Sequence, residues 1–169
     1  MDTDSQVQTQ LEAKLQRYLE VATEEETDTL ERIITGLLEK QAGKQGTYLG
    51  ALTNARAAPL EDGTFEMTLP IHPLIYNPLE IVHGGITATL LDSAMGALVD
   101  VQLPASKTAV TSQLNIHYIR PGTGSLLRCV ARVAHAGSKQ FVVEGDVYDD
   151  REKLVAKATG TFFVIGRAN

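Results

Sequence analysis

The sequence is poor in the residues that mark several large classes of protein. Among 169 residues there is one cysteine, Cys129, there is no tryptophan, and aromatic residues make up 5%. A single cysteine excludes an internal disulfide and a multi-cysteine metal site, which is typical of a protein from a reducing compartment. This low aromatic content gives no indication of the shape of a binding pocket. We therefore expect a cytoplasmic protein in which Cys129 is a small core residue.

Long apolar runs and clustered positive charge are also missing. The chain contains no stretch of roughly eighteen apolar residues, and residues 1–5 contain neither a basic nor an apolar leader segment. The 15 Lys and Arg residues are scattered and the formal net charge is −6, whereas a groove for nucleic acid needs clustered cations. We expect a soluble, unexported protein that binds neither nucleic acid nor a membrane.

Several catalytic motifs are absent as well. The chain has no Gly-x-Ser-x-Gly nucleophile turn, no Gly-x-x-x-x-Gly-Lys phosphate loop, no dinucleotide-binding Gly-x-Gly-x-x-Gly and no His-x-x-x-His pair. The four histidines are far apart in sequence, at positions 72, 83, 117 and 135. We therefore expect neither a metal nor a nucleotide cofactor.

One long helix dominates what is present. Apolar periodicity predicts it from about residue 84 to residue 99, with apolar side chains over more than half of the helical wheel. The remaining polar strip is narrow and consists of Thr89, Asp92, Ser93, Gly96 and Asp100. A helix of this kind is buried on most sides, so other elements must cover it.

The covering elements are predicted to be strands. Strand-like patterns occupy residues 48–58, 65–71, 108–119, 125–135, 139–148 and 154–165. Because turn residues such as Asp62-Gly63 separate them, we expect an antiparallel meander. The predicted class is α+β, with a bent antiparallel sheet of about six strands around one central helix.

Two amphipathic patterns precede this domain. The first covers residues 6–22, and the second begins at a cap formed by Thr27 or Asp28. They predict an N-terminal helical extension over residues 1–45, followed by one domain over residues 46–169. Packing on the domain or on a partner subunit is the expected role of these helices.

Polar residues around the long helix are the candidates for chemistry. His83-Gly84-Gly85 at its start offers unpaired N–H groups and the positive end of the helix dipole, which suit an oxyanion, although such a pair also occurs in ordinary tight loops. Asp92 is either solvated at the helix edge or held in a subunit contact as a base. Strand alternation places Thr111 on one face with three polar neighbours, Gln113, Asn115 and His117.

Three blocks in this order resemble one known family, the hotdog-fold acyl-CoA thioesterases of the phenylacetate-degradation type, which include the 4-hydroxybenzoyl-CoA thioesterase-like enzymes. The blocks are Asn77-(five residues)-His83-Gly84-Gly85-(six residues)-Asp92, the strand at 109–121, and the segment at 154–162. The resemblance covers roughly residues 46–166. It implies hydrolysis of an acyl-CoA thioester to a carboxylic acid and coenzyme A, with coenzyme A present only as part of the substrate.

The resemblance also implies roles for individual residues. Gly84 matches the backbone oxyanion donor, Asn77 helps to hold the thioester carbonyl or the attacking water, and His83 lies against the thioester. Asp92 activates water or attacks directly, and it comes from the neighbouring subunit. Thr111 orients the water. A homodimer is then the minimum competent unit, and tetramers are usual in the family.

Two further points rest on the resemblance. Coenzyme A phosphates are bound in the family by surface cations of variable position, for which Arg120, Lys139 and Lys157 are the candidates here. An alternative function is a non-catalytic acyl-CoA-binding or regulatory protein, in which the N-terminal helices transmit the signal. The presence of Asp92 favours the enzyme, because a binder needs no acid beside the thioester bond.

Overall fold

The computed structural model describes residues 3–167 and separates the chain into two compact units, Met1–Leu52 and Thr53–Asn169. Residues 1, 2, 168 and 169, where the predicted extension begins and the predicted domain ends, lie outside the described residues. The first unit contains helices α1 (Thr3–Leu19), α2 (Glu24–Gln41) and most of α3 (Tyr48–Thr53). The second contains β1 (Arg56–Pro59), β2 (Phe65–Pro70), a 3-10 turn (Pro73–Ile75), α4 (Gly84–Gln102), β3 (Lys107–Tyr118), β4 (Leu126–Ala136), β5 (Gln140–Asp149) and β6 (Leu154–Gly166).

Helix α2 begins at Glu24, so the predicted cap at Thr27 or Asp28 is wrong. Thr23 is the N-cap, and its side chain accepts a hydrogen bond from the Glu26 N–H at 3.2 Å. The Glu26 carboxylate in turn accepts from the Thr23 N–H at 2.8 Å, which completes a capping box. The run of three glutamates therefore forms the first helical turn, where the helix dipole favours negative charge.

The predicted strand over residues 48–58 is wrong in its first half, since Tyr48–Thr53 is helix α3. The Thr47 hydroxyl accepts a hydrogen bond from the Gly50 N–H at 3.0 Å and so supports the first turn of α3. The helix then approaches α2 so closely that a Cβ at Gly36 would lie 2.0 Å from the Ala51 carbonyl oxygen. Local capping and close packing within the first unit thus override the strand pattern.

The six-stranded antiparallel sheet has the order β1-β2-β4-β5-β6-β3. The β1–β2 hairpin at Asp62-Gly63 is confirmed, with Gly63 at φ +82°, as is the run of neighbours β4-β5-β6. The expectation of a simple meander is wrong for β3, which pairs with β6 at the far edge. The residues after β3 do not close a hairpin, because the Gly122 carbonyl accepts a hydrogen bond from the Val82 N–H at 3.0 Å.

Helix α4 lies on the inner face of this sheet and contacts strands β2 to β6. Its buried residues are Thr87, Leu90, Leu91, Ala94, Met95, Leu98 and Val99. Small sheet residues make room for them, since a Cβ at Gly145 would lie 2.9 Å from Leu91 Cδ2. Cys129 is fully buried in the same core, and burial raises the pKa of its thiol to about 12. The predicted α+β fold with one central helix is confirmed.

Across residues 3–167, no helix combines the length and the apolar character needed to cross a membrane.

Candidate active site

The start of α4 is organised around one unpaired backbone donor. His83 is the N-cap, and its Nδ1 accepts a hydrogen bond from the Gly85 N–H at 2.9 Å. The Ile86 and Thr87 N–H groups donate to the His83 carbonyl, and the His83 N–H donates to Ile75. Within the described part of the chain, the Gly84 N–H has no hydrogen-bond acceptor. It is the orphan donor that a helix N-terminus offers to an anion or a carbonyl oxygen.

Asn77 shapes the loop that leads to this donor. Its side-chain oxygen accepts hydrogen bonds from the Leu79 N–H at 2.9 Å and the Ile81 N–H at 3.5 Å. The Asn77 main chain also bonds to Ile81 and Glu80, and Glu80 adopts a φ of +57°. Because backbone N–H groups occupy the oxygen, the amide nitrogen is the part of Asn77 that remains able to donate to a ligand.

Asp92 meets Thr111 on the inner side of the sheet. The Thr111 hydroxyl donates to Asp92 Oδ1 at 2.7 Å, and the side chain of Asp92 is half-buried. The register of β3 against β6 shifts between Thr111 and Gln113, where Ser112 forms a bulge. Simple alternation, which placed Thr111 on one face with Gln113, Asn115 and His117, is therefore wrong. The extra residue turns Thr111 towards α4, on the opposite face from those three.

Tyr118, which sequence reasoning missed, joins the end of β3 to the start of α4. Its hydroxyl donates to the Gly84 carbonyl at 2.9 Å, and a Cβ at Gly84 would lie 3.6 Å from its ring. A cleft of about 340 Å³ opens beside this contact. Its lining comprises Asn77, Ile81, Val82, Gly84, Thr87, Tyr118, Ile119, Arg120, Pro121, Gly122 and Val155. The signal available beforehand was an amphipathic ring at a strand end, two residues before an arginine.

The predicted site residues thus fall into two groups within one chain. Asn77, His83 and Gly84 gather at the entrance of α4, and Asp92 pairs with Thr111 further along the helix. Asp92 lies eight residues after Gly84, which corresponds to about 12 Å of helix at 1.5 Å per residue. One thioester carbonyl cannot contact both groups at that separation.

The three cations considered for coenzyme A occupy different places. Arg120 lines the cleft and donates from Nη1 to the Leu154 carbonyl at 2.8 Å. Lys157 forms an ion pair of 3.0 Å with Asp146, on the outer face of the sheet. Lys139 lies in the turn between β4 and β5, where its carbonyl accepts from the Val164 N–H. Of these three cations, only Arg120 lines the cleft beside Gly84 at the start of α4.

Asp100, the other acid of the polar strip, has a structural role at the opposite end of α4. Burial opposes ionisation of Asp100, but hydrogen bonds from Arg167 and Thr108 and the Arg167 charge outweigh it and lower the pKa of this carboxyl. Arg167 binds the carboxylate through both oxygens, at 2.7 and 2.9 Å. This contact ties the end of β6 to the helix. Within residues 3–167, no group of three or more His, Cys, Asp or Glu side chains is arranged to hold a metal ion.

Comparisons with known proteins agree with this fold. The family model described as the thioesterase superfamily matches residues 79–156. The crystal structure of the BH2602 protein of Bacillus halodurans with CoA is 54% identical and has a TM-score of 0.85; the match covers 90% of this chain and 99% of that one. Residues 46–169 are less than three quarters of the chain, so that match extends well into the N-terminal helices.

Two curated relatives are also similar to this chain. A Halobacterium salinarum protein named as an esterase is 38% identical over 114 residues, which cover 61% of this chain and 75% of that protein. The medium/long-chain acyl-CoA thioesterase YigI of Escherichia coli K12 is 29% identical over 97 residues, which cover 50% of this chain and 63% of that protein.

The fold is that of a hotdog-fold thioester hydrolase. The chain belongs to the thioesterase superfamily.

Proposed function

We propose that the protein is a homo-oligomeric acyl-CoA thioesterase that hydrolyses an acyl-CoA to the free carboxylic acid and coenzyme A. The observation that carries the proposal is the unpaired Gly84 N–H beside the cleft that Asn77 and Arg120 also line. The CoA present in the Bacillus halodurans relative supports the substrate class. Coenzyme A enters as part of the substrate, and the proposed reaction assigns no role to a metal or to another cofactor.

Gly84 is proposed as the oxyanion donor. When water attacks the thioester carbon, negative charge develops on the carbonyl oxygen, and a fixed N–H at a helix N-terminus stabilises it. His83 is the N-cap of this helix and Asn77 lines the cleft beside it, and both are proposed to hold the thioester against the Gly84 N–H. Collapse of the tetrahedral intermediate then releases the coenzyme A thiolate and the acid.

Asp92 is proposed to activate the attacking water, or to attack the carbonyl itself. The Thr111 hydroxyl donates a hydrogen bond to Oδ1 of Asp92, so the second carboxylate oxygen is available to a water or a carbonyl carbon. The Thr111 oxygen can in turn accept a hydrogen bond from that water. This arrangement suits either role of Asp92.

The two halves of the site are proposed to come from different subunits. About 12 Å of helix separates Gly84 from Asp92 in one chain, too far for both to act on one carbonyl. Strand β3 supplies the means of association, since it is a twelve-residue strand at the edge of the sheet. An unpaired edge of this length is a template for pairing with a second copy. A two-fold pairing of this kind would bring Gly84 of each subunit towards Asp92 of the other, with a dimer as the minimum unit and a tetramer as the expected assembly.

Arg120 is the proposed contact for coenzyme A phosphates, because it alone of the three candidate cations lines the cleft. Lys157 is engaged by Asp146, and Lys139 lies outside the lining.

The test follows thiol release from a panel of aryl and fatty acyl-CoAs with the wild type, Gly84→Pro and Gly84→Ala. Proline at the first helical position fits the helix but removes the N–H. His83, at φ −59° and ψ 133°, already has the backbone conformation required before proline. Alanine keeps the N–H and makes only ordinary contact with the Tyr118 ring.

Gly84→Pro is expected to lower kcat by about 10² to 10³, as for other lost oxyanion donors, and Gly84→Ala to lose far less. Equal losses in the two variants would remove the donor role. If acyl-CoA raised the melting temperature but no substrate released a thiol, the enzyme hypothesis would be wrong. The result would instead support a non-catalytic acyl-CoA-binding protein.

A further inference from the structure

Tyr118 and His83 are bonded to the two ends of a single peptide group. The carbonyl of the Gly84–Gly85 peptide accepts from the Tyr118 hydroxyl at 2.9 Å, and the N–H of the same peptide donates to His83 Nδ1 at 2.9 Å. Hydrogen bonds in such a chain polarise one another, because a donor at the carbonyl makes the N–H of that peptide a stronger donor. The hydroxyl on β3 and the imidazole before α4 are therefore linked through one rigid planar unit.

The hydrogen bond from the Gly85 N–H determines which nitrogen of the neutral imidazole carries the proton. A backbone N–H can only donate, so the Nδ1 that accepts it holds no hydrogen. The neutral ring must then carry its proton on Nε2, on the other side of the ring. The His83 side chain is exposed, so the Nε2–H group is available to a ligand.

We propose that Tyr118 is a positioning residue that holds His83 as the Nε2–H tautomer through the Gly84–Gly85 peptide. Its kinetic consequence rests on the proposed thioesterase function, because a thioester placed on the Gly84 N–H needs a donor, not an acceptor, from the adjacent His83. Without the Tyr118 hydroxyl, the peptide loses this hydrogen bond at its carbonyl and the imidazole exchanges more freely between tautomers.

Tyr118→Phe is the variant that tests this. The side chain of Tyr118 is 56% exposed, so the loss of one oxygen leaves no internal cavity. Tyr148→Phe is the matched control, because it removes a hydroxyl from the outer face of the sheet and keeps the ring that lies 5.2 Å from the Arg128 guanidinium carbon. The tautomer is measured from the ¹⁵N shifts of the ring nitrogens in the full-length protein, with His83→Gln used to assign the His83 signals.

In Tyr118→Phe, the Nε2–H fraction of His83 is expected to fall and kcat to drop roughly three- to tenfold, with KM and the melting temperature close to wild type. Tyr148→Phe should match the wild type in all four. An unchanged His83 tautomer in Tyr118→Phe overturns the proposal, whether or not kcat falls. A changed tautomer with wild-type kcat overturns its kinetic part. If the wild type hydrolyses no thioester, the proposed function fails, while the ring ¹⁵N shifts still decide the role of Tyr118.

Discussion

The Thr111 hydroxyl donates a 2.7 Å hydrogen bond to Asp92, and so joins the edge strand β3 to the middle of α4. Tyr118 makes the second such link seven residues along the same strand, at the Gly84 carbonyl. Strand β3 therefore holds both groups of candidate site residues. It is also one of the two edge strands of the sheet. The proposed association through β3 and the alignment of the candidate site would then both depend on one element.

Thr111→Val is expected to lower kcat/KM by about tenfold, because it removes the hydroxyl that holds the Asp92 carboxylate. Valine has the shape of threonine and is favoured in strands, so the fold should persist. Thr111→Ser keeps the hydroxyl and should retain most of the activity. Steady-state kinetics on one acyl-CoA, with circular dichroism as a check on folding, compares the two variants. A serine variant as impaired as the valine variant would contradict the role of the hydroxyl.

Mixing two inactive variants tests whether the site lies between subunits. Gly84→Pro and Asp92→Asn damage opposite halves of the proposed site. Subunits that are unfolded together and refolded would form mixed dimers in which one site has both halves intact, so about a quarter of wild-type activity should return. The activity of the mixture is compared with that of each variant refolded alone. If both halves belonged to one chain, the mixture would stay inactive.

Gly85→Ala is expected to displace the His83 ring. A Cβ at Gly85 would lie 3.0 Å from His83 Nδ1, closer than ordinary contacts, whereas alanine suits the helix better than glycine. The helix should therefore be retained while kcat falls and the Nε2–H fraction of His83 decreases. Ring ¹⁵N shifts and the thermal midpoint are measured on the same sample. A wild-type tautomer in this variant would show that the ring has another support.

The stability of the protein should depend on pH through Asp150. The Ser125 N–H and then the Ser125 hydroxyl, each at 2.8 Å, lower the pKa of this carboxyl below its usual range. A depressed folded-state pKa means that the carboxylate contributes stability above its unfolded pKa of about 3.9, and that this contribution is lost as the pH falls through the folded-state value. Asp150→Asn should therefore be less stable than the wild type at pH 7.

The difference should narrow below about pH 4, because the Asp150 carboxyl takes up a proton in the unfolded wild type at a higher pH than in the folded wild type. Urea unfolding of both proteins from pH 7 to pH 3 measures it. A difference that stays constant over this range would show that the charge of Asp150 makes no contribution.

Gly36→Ala is expected to destabilise the first unit by about 1 to 3 kcal/mol, as overpacking does, even though alanine is the better helix former. The added Cβ would meet the Ala51 carbonyl oxygen at 2.0 Å, so α2 and α3 must move apart. Gly46→Ala is the control, because no heavy atom lies within 4 Å of its Cβ position. Hydrogen exchange of amides in α2 and α3 compares the two. Equal protection in both variants would contradict the close contact.

Elements that depend on local patterns could be predicted. Helix α4, the strands after it and the Asp62-Gly63 hairpin follow from apolar periodicity and turn chemistry, which neighbouring residues carry. Helix α3 could not be predicted in this way. Its strand-like residues become helical through the Thr47 cap and the contact with Gly36, and that contact joins residues fifteen positions apart.

The same distinction between local patterns and long-range contacts applies to the candidate site. Spacing indicated His83, Gly84, Asp92 and Thr111 as candidate site residues, because donors at a helix start and an acid on a polar strip are local features. Their pairing was not predictable, since the bulge at Ser112 reverses the face of Thr111 relative to simple alternation. Tyr118 was missed for a related reason, because the partner of its hydroxyl lies thirty-four residues away.

By itself the sequence determined the fold class, the long apolar helix and the kinds of group at its entrance, because these depend on the order of apolar and polar residues over a few turns. The tertiary structure decided that β3 lies beside β6 at the edge of the sheet, that Thr111 holds Asp92, and that Tyr118 and His83 share one peptide group. The physical reason is that a strand pairing or a side-chain hydrogen bond between distant segments forms only when the packed core brings both partners within about 3 Å.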